Sequence, residues 1–164
     1  MDRPIPQDDM VIIEAEDCDA WQMPEGLLLI GRLDPFAAQG FVDLLPNKSL
    51  PPRNRPAPGI VRQMAGKSVF RVFDGEQVKE EKELRTGDQI SVPAGTPYSL
   101  ENKTNEKCVL YWRFDGDVTE AFEKLKKSLP KIPFQAREKS GYKGLFESHQ
   151  KRREDEDAKI QGEY

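Results

Sequence analysis

The chain of 164 residues contains a single histidine, His149, and this scarcity limits its chemistry more than any other feature. Zinc, iron and manganese sites in enzymes commonly use several neutral imidazoles, which converge with a carboxylate on one ion. No group of Asp and Glu in the sequence has the spacing of a site for a hard cation. The sequence therefore predicts no bound metal and no cofactor, and it argues against a metalloenzyme.

Cysteines and long apolar runs are also scarce. The two cysteines, Cys18 and Cys108, are far apart and match no metal or redox spacing, so Cys108 is expected to be a small buried hydrophobe. Nothing near the N-terminus resembles a signal peptide, and no apolar run is long enough to span a bilayer. We therefore expect an intracellular protein without a membrane partner.

Positive charge is not in excess, since the formal net charge is −4. The basic run 151–153 is short, and no nucleic-acid-binding motif accompanies it. Direct DNA binding is therefore not expected. The acidic start of the chain and its more basic end predict solvated tails.

Thirteen prolines and twelve glycines favour a turn-rich β domain. Short strand-like runs recur at regular spacing without intervening helices, which is typical of an antiparallel sandwich or closed barrel. Five prolines within 46–58 predict an exposed loop there, because proline donates no N–H to a strand ladder. The predicted strands are 11–16, 27–33, 40–45, 59–64, 67–73, 77–84, 89–92, 98–102 and 107–114.

One helix is predicted after the last strand, at 117–129. Asp117 can cap its N-terminus, and Val118, Phe122, Leu125 and Leu129 form one apolar stripe. The outside of the barrel is the expected packing surface for this stripe. The predicted organisation is a flexible lead-in at 1–9, a β-barrel at 10–116, the helix at 117–130 and a charged, flexible tail at 131–164.

The segment 87–102 has the spacing of the second cupin motif. Gly87, Pro93, Gly95 and Asn102 occupy its fixed positions, and Tyr98 stands where enzymatic cupins carry a metal-binding histidine. The His-x-His pair of the first motif is absent upstream of residue 66. The predicted fold is all-β, a cupin or double-stranded β-helix (jelly-roll) barrel without its metal. The residues assigned to the former pocket are Phe70, Tyr98, Asn102 and Trp112.

Residues 27–114 resemble the C-terminal cupin domain of the centromere protein C family of inner kinetochore proteins. The resemblance is carried by Met-Ala-Gly at 64–66, Val-Phe-Arg-Val-Phe at 69–73, the stretch 92–102 and Leu-Tyr-Trp-Arg-Phe at 110–114. It implies a non-catalytic domain that homodimerises and recruits kinetochore or centromeric chromatin proteins, in the nucleus and on the chromosome. The chain lacks the family's nucleosome-gripping motif of an arginine anchor and an aromatic pair, so direct nucleosome binding is not implied.

Hydrophobic periodicity independently supports a dimer. In 107–114, Cys108, Leu110, Trp112 and Phe114 share one face, and Val109 and Tyr111 share the other. An apolar outer face needs a cover, and a second copy related by a twofold axis is the default one. Cover by the helix and the tail is the alternative. The predicted dimer-interface residues are Leu28, Ile30, Val69, Phe73, Val109 and Tyr111.

A small-molecule-binding or metal-independent enzymatic cupin is the second functional hypothesis. Such an enzyme needs a positioned acid and base. Tyr98 is the candidate inside the barrel mouth, but no histidine is near it in the sequence, and a buried structural tyrosine is the commoner case.

Overall fold

The computed structural model describes residues 13–133, which form ten strands, one α-helix and a short 3-10 helix at Ala15–Asp17. The helix α1 is Thr119–Ser128, and no helix in the described part of the chain is long and apolar enough to cross a membrane. The strands are β1 (Asp19–Met23), β2 (Gly26–Leu33), β3 (Ala38–Leu44), β4 (Gly59–Ala65), β5 (Lys67–Asp74), β6 (Gln77–Arg85), β7 (Gln89–Val92), β8 (Tyr98–Glu101), β9 (Cys108–Phe114) and β10 (Lys131–Ile132).

The strands form two antiparallel sheets. One has seven strands in the order β10-β1-β2-β3-β9-β4-β7, and the other has three in the order β6-β5-β8. Alternate residues of each strand point into the space between the sheets. There they form the inner core, which includes Leu28, Val42, Phe70, Leu110 and Trp112. The predicted all-β fold is confirmed.

The strands β2 to β9 occur where the sequence predicted them, with small shifts at their ends. The strand predicted at 11–16 is wrong in its described part, because residues 15–17 form a 3-10 helix. Two observed strands, β1 and the two-residue β10, were not predicted. They pair with each other, with Ala20 opposite Ile132. The start of the predicted tail is therefore part of the sheet. The predicted lead-in at 1–9 and the rest of the tail lie outside the described residues.

The proline-rich segment 46–58 is more ordered than the sequence indicated. Its prolines interrupt a regular ladder, but the residues between them pair with β8. Arg53 N–H donates to the Tyr98 carbonyl at 2.9 Å, and Tyr98 N–H donates back to the Arg53 carbonyl at 2.9 Å. Leu50 N–H donates to the Leu100 carbonyl at 2.8 Å. Most of the segment is exposed and forms no regular strand, as predicted, and its central residues also lie along the edge of β8.

The helix α1 packs in a different place from the one predicted. Phe122 is 3% exposed and stacks on Trp112 with ring centroids 4.9 Å apart. Both Phe122 and Val118 belong to the inner core, so α1 contacts the space between the sheets and not the outside of the barrel. The predicted role of Asp117 is close to the observed one, because its Oδ1 accepts a hydrogen bond from Thr119 N–H at 3.0 Å.

Candidate functional site

A cavity of about 80 Å³ lies in the inner core between the two sheets. One water molecule needs only about 10–15 Å³ on this scale, so the cavity can hold a small organic molecule. Its walls come from β1 to β4, β8, β9, α1 and the segment 46–58. Most of the lining is apolar, with Leu28, Val42, Leu110 and Phe114 among its members.

Two of the four residues assigned to the former cupin pocket line this cavity, namely Tyr98 and Trp112. Phe70 lies behind Tyr98, with the two rings stacked 5.5 Å apart. Asn102, which was assigned to the same pocket, does not line the cavity. Its side chain donates to the carbonyls of Leu44 at 3.0 Å and Glu106 at 2.7 Å, so it holds the turn between β8 and β9 and does not face the cavity.

Two arginines that the sequence placed in an exposed loop also line the cavity, Arg53 and Arg55. The Arg55 guanidinium lies over the ring of Phe122, 4.9 Å from its centroid. Burial lowers the pKa of Arg55, an effect that the Tyr98 hydroxyl opposes and the charge of Arg53 increases. Among residues 13–133, no carboxylate forms an ion pair with either arginine. The cavity therefore contains positive charge that the described residues do not neutralise.

Tyr98 is enclosed by the same groups. Burial raises the pKa of its hydroxyl, and the charges of Arg55 and Arg53 act in the opposite direction. Within the described part of the chain, its hydroxyl has no hydrogen-bond partner and no carboxylate or imidazole beside it. The surroundings of Tyr98 can bind an anion, but they supply no base for proton transfer.

A metal ion does not fit the residues present. Residues 13–133 contain no histidine and no group of three or more His, Cys, Asp or Glu side chains that could hold a metal ion. The cavity lining offers arginine guanidinium groups near the tyrosine that replaces the histidine. A metal cation would be repelled there.

Elemental analysis checks this disagreement with metal-binding cupins. Protein purified without a metal column or affinity tag is expected to carry less than about a tenth of an equivalent of any transition metal, because the ligands are missing. One tightly held zinc, iron or manganese ion per chain would contradict this expectation.

The substitution Tyr98→Phe is expected to change stability by less than about 1 kcal/mol, because the hydroxyl makes no hydrogen bond within the described residues that could be lost. The ring, which stacks on Phe70, is retained, and only the hydroxyl is lost. Urea unfolding of both proteins measures the difference. A large loss of a turnover at unchanged stability would instead support the enzyme hypothesis.

A second apolar cluster lies on the outer face of the seven-stranded sheet. It includes Leu29, Phe41 and Val109, with Tyr111 partly buried beside them. The rings of Phe41 and Tyr111 meet edge to face at 5.6 Å, and Gln39 Nε2 donates to the Tyr111 hydroxyl at 2.7 Å. The alternation in 107–114 therefore predicted the two faces of β9 correctly.

Part of this outer face is already buried within the chain. Phe41 is 3% exposed and Val109 is 6% exposed, and Ala15 and Cys18 pack in the same cluster. The accessible part is an outer stripe, defined here as the partly buried residues on β4 and β9 that pack against the cluster: Met64, Ala65 and Tyr111.

The other predicted interface residues do not join this stripe. Leu28 and Ile30 are 4% and 8% exposed and lie in the inner core, so their assignment to the outer face was wrong. Leu27 and Leu29, one residue away, take the outer positions. Val69 and Phe73 are partly buried on β5, in the three-stranded sheet.

One buried charge near the outer cluster was not singled out from the sequence. Asp43 on β3 is 2% exposed, and its Oδ2 lies 3.7 Å from Lys107 Nζ. Burial raises the pKa of this carboxyl, although Lys107 acts against the shift. A single aspartate in an apolar run carries no signal in the sequence that would reveal this burial.

Comparison with known proteins identifies the fold. No protein-family model and no curated protein sequence matches the chain. A vicilin from Solanum lycopersicum (tomato) is similar in structure, with a TM-score of 0.54 and 20% identity over 63% of this chain and 32% of that one. An oxalate decarboxylase variant from Bacillus subtilis has a TM-score of 0.55 and 15% identity, over 63% of this chain and 29% of that one.

A vicilin from Corylus avellana (hazelnut) gives a TM-score of 0.54 at 18% identity, over 63% of this chain and 33% of that one. The chain thus spans about a third of the length of these proteins. The described residues have the cupin fold. These neighbours include both vicilins and an enzyme, the oxalate decarboxylase. The fold alone therefore does not assign a function.

Proposed function

We propose that this chain is a non-catalytic, homodimerising cupin module that recruits or scaffolds proteins at centromeric chromatin and the kinetochore, in the nucleus. The observation that carries the proposal is the outer stripe of Met64, Ala65 and Tyr111, which continues a buried apolar cluster to the surface of the seven-stranded sheet. Apolar surface that extends from a core is a common mark of a protein interface. The sequence resemblance of 27–114 to the centromere protein C family supplies the cellular context.

The position of the stripe favours a second copy as the partner. β9 is internal to its sheet, between β3 and β4, so its backbone groups are already paired. Contact through this surface must therefore be made by side chains, face to face, and a twofold axis lets one patch serve both partners. Arg62 and Gln89 are exposed next to the stripe, with Arg62 Nη2 2.6 Å from Gln89 Oε1, and they supply a polar rim.

The alternative is a small-molecule-binding or metal-independent enzymatic cupin. The cavity supports ligand binding, but Tyr98 has no carboxylate or imidazole partner in residues 13–133 to complete an acid–base pair. Binding without catalysis is compatible with a scaffold, because the cavity and the outer stripe are on opposite faces of the sheet.

Imaging in the native cells tests the recruitment role. A fluorescently tagged full chain is expected to concentrate at centromeres, marked by the centromeric nucleosome. A variant with a charge in the outer stripe is expected to lose this focus, while the matched variant Val78→Glu, on the other sheet, retains it. A uniform distribution of the wild type would contradict the centromeric role.

A further inference from the structure

The cavity between the sheets is lined by four kinds of hydrogen-bond donor side chain, from Arg, Tyr, Ser and Trp, and by no carboxylate of the described residues. We propose that it is a binding site for a small organic carboxylate with an apolar body, with Arg55 as the principal anchor.

Arg55 is held in place by its backbone. Its carbonyl accepts a hydrogen bond from Gly95 N–H at 2.7 Å, and Arg53, two residues earlier, is paired to Tyr98 in both directions. The backbone between them therefore follows the edge of β8 and directs both arginines to the cavity lining. Because this backbone is already fixed, ligand binding has to order only the side chains, which favours affinity.

The charge of Arg55 needs a counterion. A partly buried guanidinium is costly unless an anion or several acceptors satisfy it. The described residues supply the face of Phe122 and no carboxylate. A carboxylate is the natural complement, because a guanidinium presents its N–H groups in a fork that matches the two carboxylate oxygens.

Three neutral donors lie in the same lining, the hydroxyls of Tyr98 and Ser99 and the indole N–H of Trp112. The Tyr98 hydroxyl has no partner in the described part of the chain. Trp112 is 5% exposed, and its buried indole nitrogen likewise has no hydrogen-bond partner among residues 13–133. Buried donors of this type are normally satisfied, so an unpaired one in a cavity wall calls for an acceptor from outside the described residues, either a water molecule or a ligand.

The rest of the wall selects an apolar body. Leu28, Val42, Leu110 and Phe114 surround the cavity, and no Asp or Glu of the described residues lines it. An inorganic anion would leave these side chains without contact, and a cation would meet two arginines. The volume of about 80 Å³ restricts the ligand to a small molecule.

This site is independent of self-association, because it lies in the inner core and the outer stripe lies on the opposite face of the sheet. A monomeric variant is therefore expected to bind the same carboxylates with unchanged affinity. Solution mass measures dimerisation and calorimetry measures ligand binding. A negative result in one measurement therefore does not decide the other.

Calorimetric titration of the full chain with acetate, hexanoate and benzoate, each compared with its neutral amide, tests the site. We expect at least one carboxylate to bind at one site per chain and at least about tenfold tighter than its amide, because charge-assisted hydrogen bonds are lost in the amide. Arg55→Gln is expected to weaken that carboxylate at least about tenfold, and Arg55→Lys is expected to weaken it less. The matched control Arg85→Gln removes an equal charge from a side chain 73% exposed on β6 and is expected to have no effect.

Either of two results would overturn the proposal. One is that the wild-type chain binds none of the three carboxylates more tightly than the corresponding amide. The other is that Arg55→Gln and Arg55→Lys, folded by circular dichroism, bind the carboxylate as the wild type does. If Arg55→Gln does not fold, the wild-type comparison and Arg55→Lys decide the outcome.

Discussion

Tyr111→Glu is expected to yield a folded monomer of 18.7 kDa, whereas the wild-type chain is expected to have twice that mass in solution. Tyr111 is partly buried in the outer stripe, so a glutamate there remains solvated in the monomer. In a twofold dimer it would face its own copy, and burying unpaired charge costs several kcal/mol. The lost hydrogen bond from Gln39 Nε2, 2.7 Å long, costs only about 1 kcal/mol, so the fold is expected to survive. Light scattering measures the mass, and circular dichroism checks the fold.

Two further variants control this experiment. Val78→Glu places the same charge at a valine that is 49% exposed on β6, and it is expected to remain a dimer. Val109→Glu is expected to unfold the chain, because Val109 is only 6% exposed within the outer cluster. If Tyr111→Glu stays dimeric, the contact between copies lies on a different surface.

Phe122→Ala is expected to lower the free energy of unfolding by about 3–5 kcal/mol, the usual cost of removing a buried phenylalanine side chain. Phe122 is 3% exposed and contacts Trp112 and Phe114, with ring centroids 4.9 Å and 6.1 Å away. It is the buried residue of α1, so its loss also detaches the helix from the inner core. Urea unfolding, followed by tryptophan fluorescence, measures the change.

The matched control is Lys124→Ala on the same helix. Its side chain is 77% exposed and forms only a long ion pair with Glu120, with Nζ and Oε1 3.6 Å apart, so the expected change is within about 0.5 kcal/mol. A loss of less than 1 kcal/mol in Phe122→Ala would mean that α1 is not part of the cooperative core.

The two faces of β9 were predictable because its residues alternate clearly. Large apolar side chains occupy every second position from Cys108, and the structure places these in the inner core. The continuous apolar run of β2 has no such alternation. A shift of one residue exchanges its faces, so the sequence could not distinguish Leu28 and Ile30, which are inside, from Leu27 and Leu29, which are outside.

The cavity was less predictable than the strands. Tyr98 was recognised from the cupin spacing, but Arg53 and Arg55 stand among prolines, and their pairing with β8 is tertiary. Local propensity predicts only that such a segment is irregular, and it contains no information about the strand that it meets. The spacing of two arginines two residues apart was the available signal, because alternate residues of an extended chain point to the same side.

The solution mass of the full wild-type chain decides whether the chain self-associates. Light scattering coupled to gel filtration, or sedimentation equilibrium, measures this mass across a range of protein concentrations from low micromolar upward. A dimer has twice the chain mass of 18.7 kDa, and this doubled mass is expected throughout that range. A mass of 18.7 kDa at every concentration would contradict it.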